Sequence, residues 1–224
     1  MLCIDRVSIF IDSGNFYHLV LKKLNLPEVE FDFDGFTKLL ANGRQITQGG
    51  KRFYIGTVRE KQDGHESKRA MENQTKLFSE LIKSNDWTIK TSKLRMRTER
   101  IKIDDRVINY KQILSKCINE IQYTRSREKG IDVKIAVDLI AGALDDKYDT
   151  AIIVSSDADL VPAIDWVRKR LKKKVEYAGF SMPQTDLYEF TRPTKTMIYN
   201  SDIQRVLVES DLKPFIKRAS FWLW

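Results

Sequence analysis

Residues 150–159 read TAIIVSSDAD, and this stretch decides the fold. Its first half, Thr150–Val154, is an unbroken run of small and β-branched apolar residues after the opening threonine. That pattern is typical of a strand buried on both faces, as strands are in a parallel sheet covered by helices. The run ends in a short polar turn that carries two aspartates, Asp157 and Asp159.

The same arrangement occurs near the start of the chain. Val7–Ile11 (VSIFI) is a second apolar run, and it ends at Asp12. Residues 13–15 (SGN) are of the types that favour a turn. A further core strand is predicted over residues 175–178 (VEYA). The sequence thus contains at least two buried strands that each lead into an acidic turn.

Between these strands, the hydrophobic pattern alternates between the periods of a strand and of a helix. Such alternation predicts a three-layer α/β/α sandwich with a mostly parallel sheet. Helices are predicted over residues 16–24, 33–40, 66–84, 133–144 and 160–171. Further strands are predicted over 51–58 and 87–96, with 101–110 as the hairpin partner of the second, 42–50 as a loop and 111–125 as a helix.

The length of the chain, 224 residues, suits one domain with an extension. Residues 1–180 hold the predicted sheet, and residues 181–224 are expected to form a C-terminal extension. Its last four residues, FWLW, are too apolar to stay in water. We expect them to pack on the body or on a second subunit, which would make the protein a homodimer.

Several features predict a cytoplasmic protein with no membrane partner. No stretch approaches the roughly 18 apolar residues that span a bilayer. The first residues lack the basic and small-residue pattern of a signal peptide. The two cysteines, Cys3 and Cys117, have no metal-binding spacing and do not indicate a disulfide framework.

The charge is unevenly distributed. The 39 basic and 31 acidic residues give a net charge of +8, which favours polyanionic partners and nucleic acid first. Residues 86–129 hold 12 Lys/Arg and 6 Asp/Glu, a balance of +6. Residues 131–160 hold 2 Lys and 7 Asp, a balance of −5. A basic protein therefore contains one concentrated acidic segment.

Some of these acids are expected to converge. Asp12 follows one buried strand, Asp157 and Asp159 follow another, and the carboxyl ends of parallel strands meet at one sheet edge. Asp132 is expected at the same edge, as the N-cap of the helix over 133–144. Each acid alone is more often a cap or turn residue. Together they favour a site for Mg²⁺ or Mn²⁺, which prefer oxygen ligands.

Three separated motifs carry a resemblance to a known family. They are IDSGNFYH at residues 11–18, KGIDVKIAVDLI at 129–140 and SSDADLVPAIDWVR at 155–168. In this order they resemble the NYN family of PIN-like nucleases, in its LabA-like branch, over about residues 6–180. The resemblance implies a PIN-like fold and metal-dependent cleavage of RNA.

The resemblance also implies roles for individual residues. Ser156 departs from it, because glycine is common at that position, and the basic segment 87–126 is longer than expected. The implied catalytic residues are Asp12, Asn15, Asp132, Asp157 and Asp159, of which the four aspartates would bind metal, with Ser155 and Asp138 in supporting positions.

A basic stretch offers a candidate RNA-binding surface. Lys93, Arg95 and Arg97 alternate, which would place them on one face of a strand, and Arg100 and Lys102 follow. They could guide phosphates towards the acids. Charges on an ordinary exposed edge strand would look the same, because they prevent aggregation.

The sequence therefore predicts a ribonuclease that cleaves single-stranded RNA at an aspartate-bound Mg²⁺ or Mn²⁺. Two alternatives remain open: an RNA-binding regulatory module with weak or no catalysis, and a DNA nuclease or other metal phosphohydrolase. The sequence lacks the GxxxxGK[ST] motif of a P-loop, and neither histidine stands in a recognisable catalytic motif.

Overall fold

The two strands that end in acidic turns are direct neighbours in the computed structural model, which describes residues 5–57, 65–84, 86–93, 95–127, 130–185 and 187–217. They form the centre of a six-stranded sheet whose pairings are all parallel. The strands are β1 Arg6–Asp12, β2 Gln45–Thr57, β3 Trp87–Lys93, β4 Arg95–Lys102, β5 Glu120–Arg127, β6 Thr150–Val154, β7 Lys174–Ser181 and β8 Ile203–Val208. The order in the sheet is β3-β2-β1-β6-β7-β8, and β4 and β5 form a separate antiparallel pair.

Helices cover both faces of this sheet. Along β1, Ile9 and Ile11 belong to one buried cluster and Phe10 to the other, as a strand buried on both faces requires. The predicted three-layer α/β sandwich is therefore confirmed. The helices are α1 Ser13–Phe16, continued by a π-helical turn Tyr17–Leu21, α2 Phe33–Ala41, α3 His65–Lys83, α4 Tyr110–Leu114, α5 Ile131–Leu144, α6 Val161–Lys169, α7 Lys195–Tyr199 and α8 Glu209–Leu212.

The loop predicted over residues 42–50 is wrong from residue 45 onward, because β2 begins at Gln45. The strand passes through Gly49, which has a φ of +65°, and the register against β1 shifts between Val7 and Ile9. A bulge of this kind uses glycine's freedom to adopt positive φ. The glycine-rich composition of the segment therefore indicated a loop although the strand continues.

The antiparallel pair, here called the ribbon, corrects two further predictions. The strand predicted over 87–96 is divided into β3, which pairs with β2 in the main sheet, and the start of β4. Its predicted hairpin partner over 101–110 does not pair with it, because β4 continues to Lys102 and pairs with β5, with Ile101 opposite Ile121. Of the helix predicted over 111–125, only residues 111–114, which belong to α4, are helical. In β5, Ile121 and Tyr123 alternate with polar residues, and that period-2 pattern favours a strand.

The segment after residue 180 contributes to the main body. Its strand β8 pairs with β7, and Phe215 lies 6.1 Å from Phe31 between ring centroids. The Asp32 backbone N–H donates to the Phe215 carbonyl at 2.7 Å. The final run, residues 221–224, lies outside the described residues.

A buried carboxylate joins β8 to the rest of the sheet. Glu176 in β7 is 1% exposed and forms ion pairs with Arg44 at 2.6 Å and with Arg205 of β8 at 2.9 Å. Two partially exposed guanidinium groups thus offset the cost of burying one carboxylate. Removing the carboxylate would leave Arg205 without its anion and Arg44 with only Asp5, at 3.6 Å.

We expect Glu176→Gln to lower the free energy of unfolding by about 3 kcal/mol, the order found when one partner of a buried ion pair is removed. Lys213→Gln is the control, because its pair with Glu209 is exposed and contributes at most about 0.5 kcal/mol. Urea denaturation measures both. Equal, small losses in the two variants would show that the buried pair does not stabilise the attachment of β8.

Candidate active site

Asp12 is the last residue of β1 and lies at the carboxyl edge of the sheet. Its Oδ1 accepts a hydrogen bond from the Asn15 backbone N–H at 3.0 Å, so it caps α1. Its Oδ2 accepts from the Ser155 hydroxyl at 3.1 Å. The side chain is 6% exposed and is held by groups from two neighbouring strand ends.

The acidic turn after β6 is fixed to the turn after β1. The Asn15 side-chain oxygen accepts from the Ser156 backbone N–H at 2.9 Å. The Ser155 hydroxyl, besides contacting Asp12, accepts from the Asp157 backbone N–H at 3.3 Å. Asn15 and Ser155 therefore act as positioning residues, and they hold the two acidic turns side by side.

Asp157 and Asp159 lie at the start of a short 3₁₀-helical turn. Asp157 caps this turn, because its Oδ1 accepts from the Asp159 backbone N–H at 2.9 Å. The Asp157 side chain is half-buried and Asp159 is exposed. Capping and a place in the acidic cluster thus coexist in Asp157, as they do in Asp12.

Asp132 brings a third element to the same place. The prediction that it is an N-cap is wrong: Gly130, with a φ of +85°, occupies the cap of α5, and Asp132 lies in the first turn without a capping hydrogen bond. Burial raises the pKa of Asp132, and the carboxylates of Asp157 and Asp159 raise it further. This direction of the pKa shift is the one expected when a partly buried carboxylate lies near other carboxylates.

A cleft of about 280 Å³ opens between α1 and α5 at this edge. Asp12, Asn15 and Asp132 line it. His18 also lines it, although the sequence assigned this residue no role. The signal was its spacing of three residues from Asn15, which puts both side chains on one side of a helical turn.

Asp138 lies apart from the cluster, although it belongs to the same helix as Asp132. Its carboxylate accepts from the Tyr54 hydroxyl and the Lys90 ammonium, both at 2.7 Å, and lies 3.4 Å from Arg52. Burial opposes ionisation here, but the bonds from Lys90 and Tyr54 and the nearby charges lower the pKa of Asp138. This acid connects α5 to β2 and β3.

The residues of the candidate RNA-binding surface are divided between two sheets. Lys93 ends β3 in the main sheet, whereas Arg95 and Arg97 belong to the ribbon. Within β4, alternation puts Arg100 and Lys102 at positions of the opposite face from Arg97. The backbone register pairs Arg95 with Arg127 and Arg97 with Arg125, and these two arginines of β5 lie outside the surface predicted from the sequence.

The acids fit a hard divalent cation by their chemistry. Within the described ranges, Asp132, Asp157 and Asp159 form no salt bridge with Lys or Arg. Other acids do, as buried Asp138 does with Lys90. The donors are all oxygen, as Mg²⁺ and Mn²⁺ prefer. In the described part of the chain, no group of three or more His, Cys, Asp or Glu side chains has the arrangement of metal ligands.

A parallel sheet covered by helices on both faces, with acids at its carboxyl edge, is the architecture of an α/β protein whose site lies at the ends of its strands. The model of the NYN domain matches residues 6–199, and the chain belongs to this family of PIN-like nucleases.

A solved structure supports the fold independently. It is the crystal structure of a protein of unknown function from Vibrio parahaemolyticus, with a TM-score of 0.54 and 17% sequence identity, covering 95% of this chain and 98% of that one. At this identity the likeness concerns the fold alone. No curated protein matches the chain. Within the described residues, no helix is long and apolar enough to cross a membrane.

Because Asp132 makes no capping hydrogen bond and lies near two like charges, we expect Asp132→Asn to unfold in EDTA at the same or a higher temperature than the parent. Asp157→Ala removes a cap and is expected to lose about 0.5–2 kcal/mol, whereas Asp157→Asn keeps an acceptor and serves as its control. Thermal and urea denaturation provide the comparison. A clearly less stable Asp132→Asn would mean that this carboxylate stabilises the fold.

Proposed function

We propose that the protein is a metal-dependent ribonuclease that cleaves phosphodiester bonds of single-stranded RNA at Asp12, Asp132, Asp157 and Asp159. One observation carries the proposal: acids from two strand ends and one helix gather at the carboxyl edge of the sheet, and three of them have no basic partner among the described residues. Like charges persist together where a cation or substrate offsets them.

The four aspartates would hold Mg²⁺ or Mn²⁺. When bound, such an ion activates water and offsets the negative charge that develops on the phosphate. Ser155 and Asn15 fix the distance between the two acidic turns through their bonds to Asp12 and to the Ser156 backbone. Asp12 is the most buried of the acids and thus the most firmly positioned.

The ribbon supplies the RNA-binding surface in this proposal. Its base lies close in sequence to the acidic edge: Arg95 follows the end of β3 by two residues, and Arg127 precedes Asp132 by five. The backbone register sets Arg95 opposite Arg127 and Arg97 opposite Arg125. Like charges at directly opposed positions destabilise a strand pair, and a bound anion would offset this repulsion. The backbone of an RNA strand provides a series of such anions, one phosphate per nucleotide.

The two other functions predict different behaviour. A DNA nuclease would cleave single-stranded DNA of the same sequence as well as RNA. A binding module would bind RNA through the ribbon without cutting it. The acids favour catalysis over pure binding, because phosphate binding alone gains nothing from carboxylates at the entry to α5.

We expect Mn²⁺ or Mg²⁺ to support cleavage of labelled single-stranded RNA, and Asp132→Asn and Asp157→Asn to lose at least about 100-fold in rate, since even outer-shell changes at metal sites cost 10–100-fold. Asp145→Asn, an exposed aspartate at the far end of α5, is the control and should retain the parent's rate.

A mock purification from cells that lack the protein measures contaminating nuclease, and its activity is subtracted from that of the parent and the three variants. Undiminished cleavage by both site variants contradicts the catalytic assignment. Preferred cleavage of DNA, or binding without cleavage in either metal, selects one of the two other functions.

The ribbon prediction compares two double variants of equal charge. Arg97→Gln with Arg125→Gln is expected to weaken RNA binding and to reduce the salt slope by about 1.4, because each single-strand phosphate contact contributes about 0.7. Arg100→Gln with Lys102→Gln, at positions of the other face, should change the slope much less. Fluorescence anisotropy in EDTA over a salt series gives both slopes. Equal changes would mean that only net charge matters.

A further inference from the structure

A second cavity, of about 400 Å³, lies beside the acidic cleft. Gly14 lines both, so they meet at the turn that follows Asp12. Its volume is within the range of small-molecule binding sites. The described residues that line it come from the turn after β1, the segment before α2, the end of β2 and the face of α3.

The lining combines an aromatic ring and apolar groups with side-chain amides. Tyr17, Val29 and Ile55 give the apolar part, and Asn73 and Gln74 give the amides. Aromatic and apolar surfaces stack on nucleobases, while amides form hydrogen bonds with base edges. Each kind of group that reads an unpaired base is therefore present.

The cavity suits an uncharged ring better than a phosphate. Among the described residues, its lining contains no Lys or Arg, and the carboxylate of Glu28 forms part of the wall. That carboxylate accepts a hydrogen bond from the Ser13 hydroxyl at 2.5 Å, which fixes it in place. A negative wall without basic groups repels phosphate but tolerates the donor groups of a base.

The two amide side chains in the cavity wall differ in their hydrogen bonds to the described residues. Gln74 is 8% exposed and donates to the Gly56 carbonyl at 2.9 Å, so its amide is fixed against β2. Asn73, the next residue, is half-buried, and its side chain makes no hydrogen bond with any described residue. A partly buried amide that lacks a partner gains from a ligand that supplies one.

We propose that this cavity binds the nucleobase of a nucleotide next to the scissile phosphate, with Tyr17 as the stacking surface and Asn73 as the reader of the base edge. The inference rests on the proposed nuclease function, to which it adds a base-recognition subsite. The shared Gly14 lets one strand place its phosphate at the acids and its neighbouring base in the cavity. Cleavage should then depend on the base at that position.

The test measures binding of six-nucleotide RNAs by fluorescence anisotropy in EDTA, where no metal supports cleavage. Each position in turn carries an abasic ribose. For the parent, we expect one abasic position to weaken binding about tenfold, the order of one lost base–aromatic stack. Tyr17→Ala should bind intact RNA about tenfold more weakly and show no further loss with that abasic RNA.

Three further variants separate recognition from folding. Tyr17→Phe keeps the ring and should bind like the parent. Tyr199→Ala removes a tyrosine that is 78% exposed and does not line the cavity, so it should also bind like the parent. Asn73→Ala removes a side chain that forms no hydrogen bond with any described residue, and it should change the relative affinity for RNAs that differ only in the base at the sensitive position.

An abasic penalty that is the same in the parent, Tyr17→Ala and Asn73→Ala overturns the inference, even if RNA is cleaved in Mn²⁺. Conversely, a penalty that Tyr17→Ala abolishes supports the base subsite even if no metal supports cleavage, and in that case only the proposed nuclease function fails. The two claims therefore fail by different measurements.

Discussion

The parallel pairing of β1 with β6 is the constraint on which the site depends. It sets Ile11 opposite Val154, so the turns that follow must lie side by side at one edge. Both turns carry carboxylates, and their closeness would be unfavourable without the bridges from Ser155 to Asp12 and from Ser156 to Asn15. The sheet thus brings carboxylates close together, and the neutral side chains of Ser155 and Asn15 stabilise this arrangement.

Helix α5 uses its acids in two different ways. Asp138 faces β2 and β3, where Lys90, Tyr54 and Arg52 satisfy it, and it behaves as a conventional buried ion-pair partner. Asp132, less than two turns earlier, lies near other carboxylates. A single helix therefore anchors itself to the sheet through one carboxylate and presents another to the cleft, so that the first fixes the orientation of the second.

Much of the fold and of the acidic cluster could be predicted from the sequence, because β1 and β6 are continuous apolar runs whose ends carry the acids. The errors in the predicted strands have one cause, which is that strand pairing depends on residues distant in the chain. Nothing local indicates that β2 continues through Gly49, or that β4 pairs with β5 across an intervening helix. The cap of α5 was misassigned because Gly130 can adopt positive φ and makes a side-chain cap unnecessary. The cavity beside Gly14 could not be predicted from the sequence, because its walls come from segments that are distant in the chain.

The ribbon leaves the body after β3 and returns just before α5, and its two ends are paired with each other through Arg95 and Arg127. An insertion whose ends meet in this way can lengthen, shorten or change its charge without altering the register of the six-stranded sheet. The acids belong to the sheet and its helices, while the basic pairs belong to the insertion. Under the proposed function, mutation of the insertion can therefore alter which RNAs are bound while the acids at the sheet edge stay unchanged, so substrate preference is free to diverge faster than mechanism.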